Sequence, residues 1–166
     1  MKISTWNLNS INARIEHLIK FIKSDQSDIY LLQELKSKED NFPKIEIKNL
    51  GYHCYVNGQK AWNGVAILSK KELPIINTKI PYYNDENARF LETEIILSKI
   101  KQKIKLICIY LPNGNPIETN KFDYKIEWMK KFNDYIIKLK KNMTSIIIGG
   151  DFNVIPNDED VYSPEN

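Results

Sequence analysis

Residues 145–154 read Ser-Ile-Ile-Ile-Gly-Gly-Asp-Phe-Asn-Val, and this stretch decides how the rest of the chain is interpreted. The run of β-branched residues predicts a short strand, and the two glycines are expected to end it. Asp151 and Asn153 follow two positions apart, so both side chains lie on the same side of an extended backbone. A carboxylate and a carboxamide in that position suit a hard cation and a phosphate oxygen. We therefore expect a strand that holds a candidate binding pair at the rim of a sheet.

The elements before this strand mix strands with helices. Residues 2–8 alternate as in a strand, and apolar positions at helical spacing predict a helix over 12–24 and a long helix over 122–141. A short helix over 42–50 is expected to end at Gly51. Further strands are predicted over 28–34, 52–57, 64–69, 90–97, 104–111 and 144–150. Many of them are apolar enough to be buried, which predicts an α/β fold with helices outside two packed sheets.

Polar side chains follow several predicted strands at the point where each strand ends. Asn7 and Asn9 follow the first strand, Glu34 follows the second, and Tyr110 lies near the end of the 104–111 strand. Strand ends form the ligand crevice of α/β sheets, so we expect these groups to converge there. Taken singly, each has a structural explanation. The asparagines are common turn residues, Glu34 could cap a helix or face solvent, and Tyr110 could be a packed aromatic.

Length and charge set broad limits on the protein. With 166 residues the chain is long enough for one domain over 1–166 with a substantial core. Its 24 basic and 21 acidic side chains leave a formal charge of +3, which neither indicates nor opposes a nucleic-acid partner. Nearly all the basic residues are lysines, so Arg14 and Arg89 are the candidate bidentate phosphate donors. A surface salt bridge is the alternative for each arginine.

Cysteine usage and the N-terminus bear on location. Cys54 and Cys108 lie in strand-like apolar segments without CxxC spacing, so buried free thiols are expected. The first residues pass straight into a strand with no signal-peptide pattern, and no apolar run approaches membrane-spanning length. These features predict a soluble protein of the cytoplasm.

Five segments carry a resemblance to a known family. They are, in order, Trp6-Asn7-Leu8-Asn9-Ser10, Leu31-Leu32-Gln33-Glu34-Leu35-Lys36, Asn63-Gly64-Val65-Ala66-Ile67-Leu68-Ser69, Tyr110-Leu111-Pro112-Asn113-Gly114 and Gly150-Asp151-Phe152-Asn153-Val154. Together they closely resemble the exonuclease III family of abasic-site endonucleases, within the endonuclease/exonuclease/phosphatase superfamily. The resemblance implies the N-terminal portion of a four-layer α/β sandwich. It also implies Mg²⁺-dependent hydrolysis of DNA phosphodiesters, with Mn²⁺ as an alternative cation.

The resemblance further implies roles for four catalytic residues. Asn7 matches the asparagine that orients the catalytic aspartate and contacts the phosphate, and Tyr110 matches the tyrosine that reaches the scissile phosphate. Asp151 matches the aspartate that positions or deprotonates the attacking water. Asn153 matches the asparagine that stabilises the transition state. These roles are physically coherent because in-line attack on a phosphodiester builds negative charge, which preorganised donors and a cation stabilise.

The cation and the DNA have their own candidate residues. Glu34 matches the family's metal-ligand glutamate, and Asn9 falls where relatives place a side chain close to that metal. Asp151 and Asn153 complete the candidate metal set. One glutamate with help from its neighbours is enough for Mg²⁺, which keeps several of its waters. The expected contacts to double-stranded DNA come from Arg14, Arg89 and Asn113.

Both histidines of the chain lie outside these motifs. The family's catalytic histidine belongs to a C-terminal Ser-Asp-His motif, and a further aspartate lies on an earlier strand of that half. Here His17 falls on the 12–24 helix and His53 in a strand-like segment, so both are expected to be structural. The resemblance continues to the last residue, which predicts an incomplete domain lacking its C-terminal strands and that motif.

Two functions of different classes are therefore in competition. The first is a DNA-repair nuclease that acts on double-stranded DNA at abasic sites and 3′ ends. The second is an inactive remnant that binds DNA, or a separate C-terminal fragment, without catalysis. A phosphatase of the same superfamily is a less favoured third interpretation, because the 6–10 and 63–69 segments resemble the nuclease branch.

Overall fold

The computed structural model describes residues 1–97, 102–142 and 145–160. These residues form a mixed series of strands and α-helices, in which five strands follow one another without an intervening helix between the second and third α-helices, with short 3-10 turns at Glu39–Asn41 and Asp158–Asp160. The strands are β1 (Ile3–Asn7), β2 (Ile29–Gln33), β3 (His53–Asn57), β4 (Val65–Ser69), β5 (Ile75–Asn77), β6 (Phe90–Leu97), β7 (Gln102–Tyr110) and β8 (Ser145–Asp151). The helices are α1 (Ile11–Asp25), α2 (Lys44–Lys48) and α3 (Asn120–Lys141).

The strands form two four-stranded sheets. The first sheet has the order β1-β2-β4-β3, and the second has the order β5-β6-β7-β8. In each sheet one pair of strands is parallel, β1 with β2 and β7 with β8, and the remaining pairs are antiparallel. Each parallel pair is linked by a long helix, α1 in the first sheet and α3 in the second. This is the crossover connection that parallel strands require.

The two sheets pack face to face, and helices cover their outer faces. The core between the sheets consists of apolar side chains from both, including Ile29, Leu31, Val65, Ile67, Leu91, Ile95, Ile104, Leu106 and Cys108. Leu18 and Ile22 of α1, with Ile47 of α2, pack on the outer face of the first sheet. Trp128 and Phe132 of α3 pack on the outer face of the second. The predicted four-layer α/β architecture is confirmed for the described residues.

Most elements agree with the sequence prediction, and the exceptions are α2, β5 and the end of β8. Helix α2 is shorter than predicted because Phe42 is extended, as expected of a residue that precedes a proline, and because Asn49 already ends the helix. Gly51 lies in a turn beyond the end of α2, where its N–H donates to the carbonyl of Lys48. Strand β5 was not predicted, since three residues are too few to establish an alternating pattern.

The two glycines of the 145–154 stretch lie within a strand. The prediction that they end it is wrong, because β8 continues through both to Asp151. A Cβ on Gly149 would lie 2.6 Å from Cδ1 of Leu31 in the other sheet, so glycine permits close packing of the sheets. Gly150 has a φ of +148°, and a Cβ there would lie 2.0 Å from the carbonyl oxygen of Ile109. The glycines therefore allow β8 to deliver Asp151 beside Tyr110, its register partner on β7.

Among the described helices, none has the length and apolar composition needed to cross a membrane.

Candidate active site

The predicted site residues converge where two pairs of parallel strands end. The β1–β2 register places Asn7 beside Gln33, so that Glu34 follows directly, and the β7–β8 register places Tyr110 beside Asp151. Because the sheets are stacked, the predicted site residues lie on opposite sides of one crevice, Asn7 and Glu34 on one side and Tyr110 and Asp151 on the other. A cavity of about 870 Å³ opens there, and its wall includes Asn7 and Asp151.

Asn7 joins the two sheets. Its Nδ2 donates to Oε1 of Glu34 at 2.8 Å and to Oδ2 of Asp151 at 2.8 Å. One carboxamide thus bridges two carboxylates from different sheets, and both of its N–H groups are used. Its Oδ1 accepts from the backbone N–H of Asn9 at 3.0 Å, which fixes the orientation of the amide.

Glu34 and Tyr110 form the second link between the sheets. The Tyr110 hydroxyl donates to Oε1 of Glu34 at 3.0 Å. Burial opposes ionisation of Glu34, but hydrogen bonds from Asn7, Lys36 and Tyr110 outweigh it and lower its pKa below the ordinary value. Burial and the bond to Glu34 raise the pKa of Tyr110 to about 12. At neutral pH, therefore, Glu34 is a carboxylate and Tyr110 is a protonated donor.

Asp151 and Asn153 form a compact turn at the end of β8. The backbone N–H of Asn153 donates to Oδ1 of Asp151 at 2.8 Å, so each oxygen of Asp151 accepts a hydrogen bond. Nδ2 of Asn153 donates to the carbonyl of Leu111 at 2.7 Å, which ties this turn to the loop after β7. Both side chains are thereby held in defined orientations at the crevice wall.

Glu34 and Asn9 both bind the side-chain ammonium group of Lys36. Nζ of Lys36 lies 3.0 Å from Oε2 of Glu34 and also donates to Oδ1 of Asn9. The carboxylate and the amide oxygen are thus aimed at one point, and both are hard oxygen donors of the kind that Mg²⁺ or Mn²⁺ prefers. Within the described ranges, no cluster of three or more His, Cys, Asp or Glu side chains is arranged to hold a metal. Two oxygen donors, from Glu34 and Asn9, fit a cation that keeps several waters.

The backbone around the site is strained. Asn9, Glu34, Lys36 and Asn153 have φ values of 47°, 51°, 50° and 45°, in the left-handed region that residues other than glycine rarely adopt. Such conformations persist where the surrounding structure enforces them, and they concentrate at functional sites. The loops are held by backbone bonds, including Ser10 N–H to the carbonyl of Glu34 at 2.8 Å.

The three residues expected to contact DNA have different surroundings in the structure. Asn113 is exposed and lines the cavity. Arg14 is exposed on the first turn of α1, and its side chain has no hydrogen bond or ion pair to any described residue. Arg89 is partly buried, with its guanidinium 4.8 Å from the ring centre of Tyr110 and 5.8 Å from that of Tyr124. Its Nη1 donates to the carbonyl of Tyr110 at 3.2 Å.

Both histidines lie away from this cluster. His17 is exposed on α1, and His53 is exposed at the start of β3. The described part of the crevice therefore contains carboxylates, amides, a phenol and lysines, but no imidazole.

Two lysines of the site were not singled out from the sequence. Lys36 lies inside the 31–36 segment. The one signal for it in the sequence is that it follows Glu34 by two positions, a spacing that places two side chains on the same side of an extended backbone. Lys125 lies on α3 and lines the cavity, with its Nζ bonded to the carbonyls of Asn113 and Asn153 at 3.0 and 2.6 Å. No local pattern distinguishes Lys125 from the other lysines of that helix.

Fold and site together define a class of protein. Residues 4–166 match the endonuclease/exonuclease/phosphatase family, and the chain belongs to that family. It is 32% identical over 165 residues to exodeoxyribonuclease III of Haemophilus influenzae, covering 97% of this chain and 60% of the relative.

Solved structures agree with this membership. An AP endonuclease from Archaeoglobus fulgidus superposes with a TM-score of 0.88 at 32% identity, covering 99% of this chain and 62% of that one. A 3′ phosphatase from Neisseria, solved with a product DNA hairpin, gives a TM-score of 0.87 at 31% identity with the same coverage, 99% and 62%. The chain thus spans about 60% of the length of the relatives that it matches.

Proposed function

We propose that this chain carries the metal- and phosphate-binding part of a DNA-repair nuclease of the exonuclease III type. Its reaction would be the Mg²⁺-dependent hydrolysis of DNA phosphodiesters at abasic sites and 3′ ends, with Mn²⁺ as an alternative cation. The observation that carries the proposal is the Asn7 bridge between Glu34 and Asp151, with Tyr110 on the same Glu34 oxygen. Four polar side chains meet there at the ends of four strands, and this preorganised arrangement supports a role in stabilising charge on a phosphate.

Each side chain has a physical role in this proposal. Asp151, held by Asn7 and by the Asn153 N–H, positions the attacking water and accepts its proton. Tyr110, protonated at neutral pH, would turn its O–H from Glu34 to a phosphate oxygen. The Asn7 amide, which donates to both carboxylates, orients Glu34 and Asp151. Asn153 would use the N–H that it does not donate to Leu111 to stabilise the negative charge that builds on the phosphate oxygens.

Glu34, with Asn9 beside it, would hold the cation, and Lys36 now lies between these two donors. A bound divalent cation supplies charge stabilisation to the phosphate oxygens.

DNA is the partner that the comparisons favour, since one similar structure is described as bound to a product DNA hairpin and another as an AP endonuclease. Arg14, Arg89 and Asn113 remain the proposed contacts to it. We place the protein in the cytoplasm, where Cys54 and Cys108, both free in this structure, would stay reduced.

A second candidate function is favoured by the edges of the two sheets. Within the described residues, β1 ends the first sheet and β8 ends the second, both beside the crevice. Phe152, Val154 and Ile155 are 44%, 49% and 60% exposed along the cavity wall. Open edges and exposed apolar side chains invite a partner strand. The chain alone would then be a non-catalytic module that binds DNA or a complementary C-terminal fragment.

An incision assay separates the two functions. The substrate is a labelled duplex with one abasic site, incubated with Mg²⁺ and the 166-residue chain. A second reaction adds the part of the Haemophilus influenzae relative that this chain does not cover. We expect no cleavage by the chain alone above an Asp151→Ala control, and cleavage that depends on Asp151 once the second part is present.

Clear cleavage by the chain alone, lost in the Asp151→Ala variant, would refute the second function. A folded two-part complex that leaves the abasic DNA intact would refute the nuclease proposal.

A further inference from the structure

Lys125 lies at the junction of the two loops that carry candidate phosphate-binding amides. It sits near the start of α3, and its Nζ reaches back toward the crevice. The ammonium donates to the backbone carbonyl of Asn153 at 2.6 Å and to that of Asn113 at 3.0 Å. One side chain of a helix thus connects the loop after β7 with the loop after β8.

The loop after β7 is shaped to admit the stem of this lysine. Gly114 has a φ of +79°, and a Cβ there would lie 2.5 Å from Cδ and 3.0 Å from Cβ of Lys125. A side chain at this position would collide with the lysine stem. Gly114 therefore serves two needs, a left-handed backbone and room for Lys125.

The carbonyl groups that Lys125 holds belong to residues whose side chains matter for the site. Asn153 has a φ of 45°, a conformation that needs external support in a non-glycine residue. Three contacts supply it: the N–H to Asp151, the side-chain amide to Leu111, and the carbonyl to Lys125. The contacts with Lys125 and Asp151 each involve a charged group, and charge-assisted bonds are the stronger ones.

Lys125 also contributes a positive charge to the cavity wall. The Lys125 ammonium lines the same cavity as Asn7 and Asp151. An ammonium has three N–H groups, and two of them are directed to backbone carbonyls. The lysine thus brings positive charge to a wall that, under the proposed function, receives a phosphate.

We propose that Lys125 is a positioning residue, whose ammonium holds the loops after β7 and β8 together so that Asn113 and Asn153 present their side chains to one phosphate. The inference rests on the proposed function for its consequence in catalysis. The clamp itself is a property of the fold and can be measured without DNA.

The test compares Lys125→Met, Lys125→Arg and the matched control Lys131→Met in the 166-residue chain. Lys131 is exposed on the same helix and does not line the cavity. Hydrogen exchange of the Asn153 backbone and side-chain amides is followed by NMR, with Leu106 in the core as an internal reference. Lys125→Met should accelerate exchange at Asn153 about tenfold, because it removes a charge-assisted bond, and leave Leu106 unchanged. Exchange at Asn153 in Lys125→Arg should be nearly as slow as in the unsubstituted chain.

Unchanged exchange at Asn153 in Lys125→Met, or equal acceleration in Lys131→Met, would overturn the clamp. In the completed two-part nuclease, Lys125→Met should lower kcat at least tenfold with little change in KM, since a misplaced Asn153 affects the transition state. Altered exchange together with an unchanged kcat would overturn the positioning role. An inactive unsubstituted complex with altered exchange in Lys125→Met would refute the proposed function and leave the clamp standing.

Discussion

The Asn7 amide nitrogen lies 2.8 Å from Oδ2 of Asp151, although the two residues are 144 positions apart and belong to different sheets. The same nitrogen lies 2.8 Å from Oε1 of Glu34. Stacking of the sheets thus produces a single polar cluster from the ends of β1, β2 and β8. Two carboxylates at the crevice share one neutral donor, so the cluster depends on that donor for its geometry.

Replacing Asn7 by alanine should therefore damage both stability and chemistry. It leaves two partly buried carboxylates without their common donor, which should lower the free energy of unfolding by about 1–3 kcal/mol. Activity of the completed nuclease should fall on the order of 10²–10³. Urea unfolding and the incision assay measure the two effects. Asn12→Ala, on the exposed face of α1, is the control and should change stability by less than about 0.5 kcal/mol.

The lowered pKa of Glu34 predicts a specific acid sensitivity. Its stabilising contribution is complete above the ordinary value of 4.5 and is lost as the pH falls through the lower value of the folded state. Glu34→Gln should therefore be less stable than the unsubstituted chain at neutral pH and should lose less stability on acidification. Urea midpoints between about pH 3 and pH 7 test this. The control Glu46→Gln, exposed on α2, should keep the original pH dependence, and equal curves for all three proteins would contradict the prediction.

Arg14 and Arg89 should respond differently to substitution by methionine. The exposed Arg14 side chain has no hydrogen bond or ion pair to a described residue, so its loss should leave stability unchanged and reduce the salt dependence of DNA binding by about one phosphate contact. Arg89 packs on Tyr110 and Tyr124, so its loss should also destabilise the fold by about 1 kcal/mol or more. Fluorescence anisotropy across a salt series, with urea unfolding, distinguishes the two. Identical effects on both quantities would be inconsistent with their different surroundings.

Gly150 should tolerate no side chain. A Cβ there would lie 2.0 Å from the Ile109 carbonyl oxygen, at a backbone φ of +148°. Gly150→Ala should lower the free energy of unfolding by about 3 kcal/mol or more, because backbone on both strands must move. Gly51→Ala is the control: its φ is +87° and nothing lies within 4 Å of a new Cβ, so only about 1 kcal/mol of backbone strain is expected. Equal urea midpoints for Gly150→Ala and Gly51→Ala would show that β8 accommodates the new methyl group and would contradict this prediction.

The sequence predicted the architecture well because its signals are local. Helical spacing located α1 and α3, and the β-branched run located β8, although the prediction that Gly149 and Gly150 end the strand was wrong. Their true role depends on a neighbouring strand and on the other sheet, which no local pattern contains. The short strand β5 was missed because three residues do not establish an alternating pattern, and the end of α2 before Asn49 was missed as well.

The sequence could predict that the candidate site residues converge, but not the hydrogen bonds between them. Motif positions indicated Asn7, Glu34, Tyr110 and Asp151, and the structure brings these four together. That one amide bridges both carboxylates follows from the stacking of the sheets. Lys125 could not be found from the sequence because its importance lies in two backbone carbonyls, one on each of two loops.

The most direct test of the central claim measures cation binding at Glu34. Mn²⁺ is titrated into the 166-residue chain and followed by the loss of its free electron-spin-resonance signal, without DNA and without any second polypeptide. We predict one bound Mn²⁺ that Mg²⁺ displaces, an affinity reduced roughly tenfold or more in Glu34→Gln, and an unchanged affinity in Glu46→Gln. Equal binding by the unsubstituted chain and by Glu34→Gln would contradict the assignment of this cluster as the metal- and phosphate-binding site.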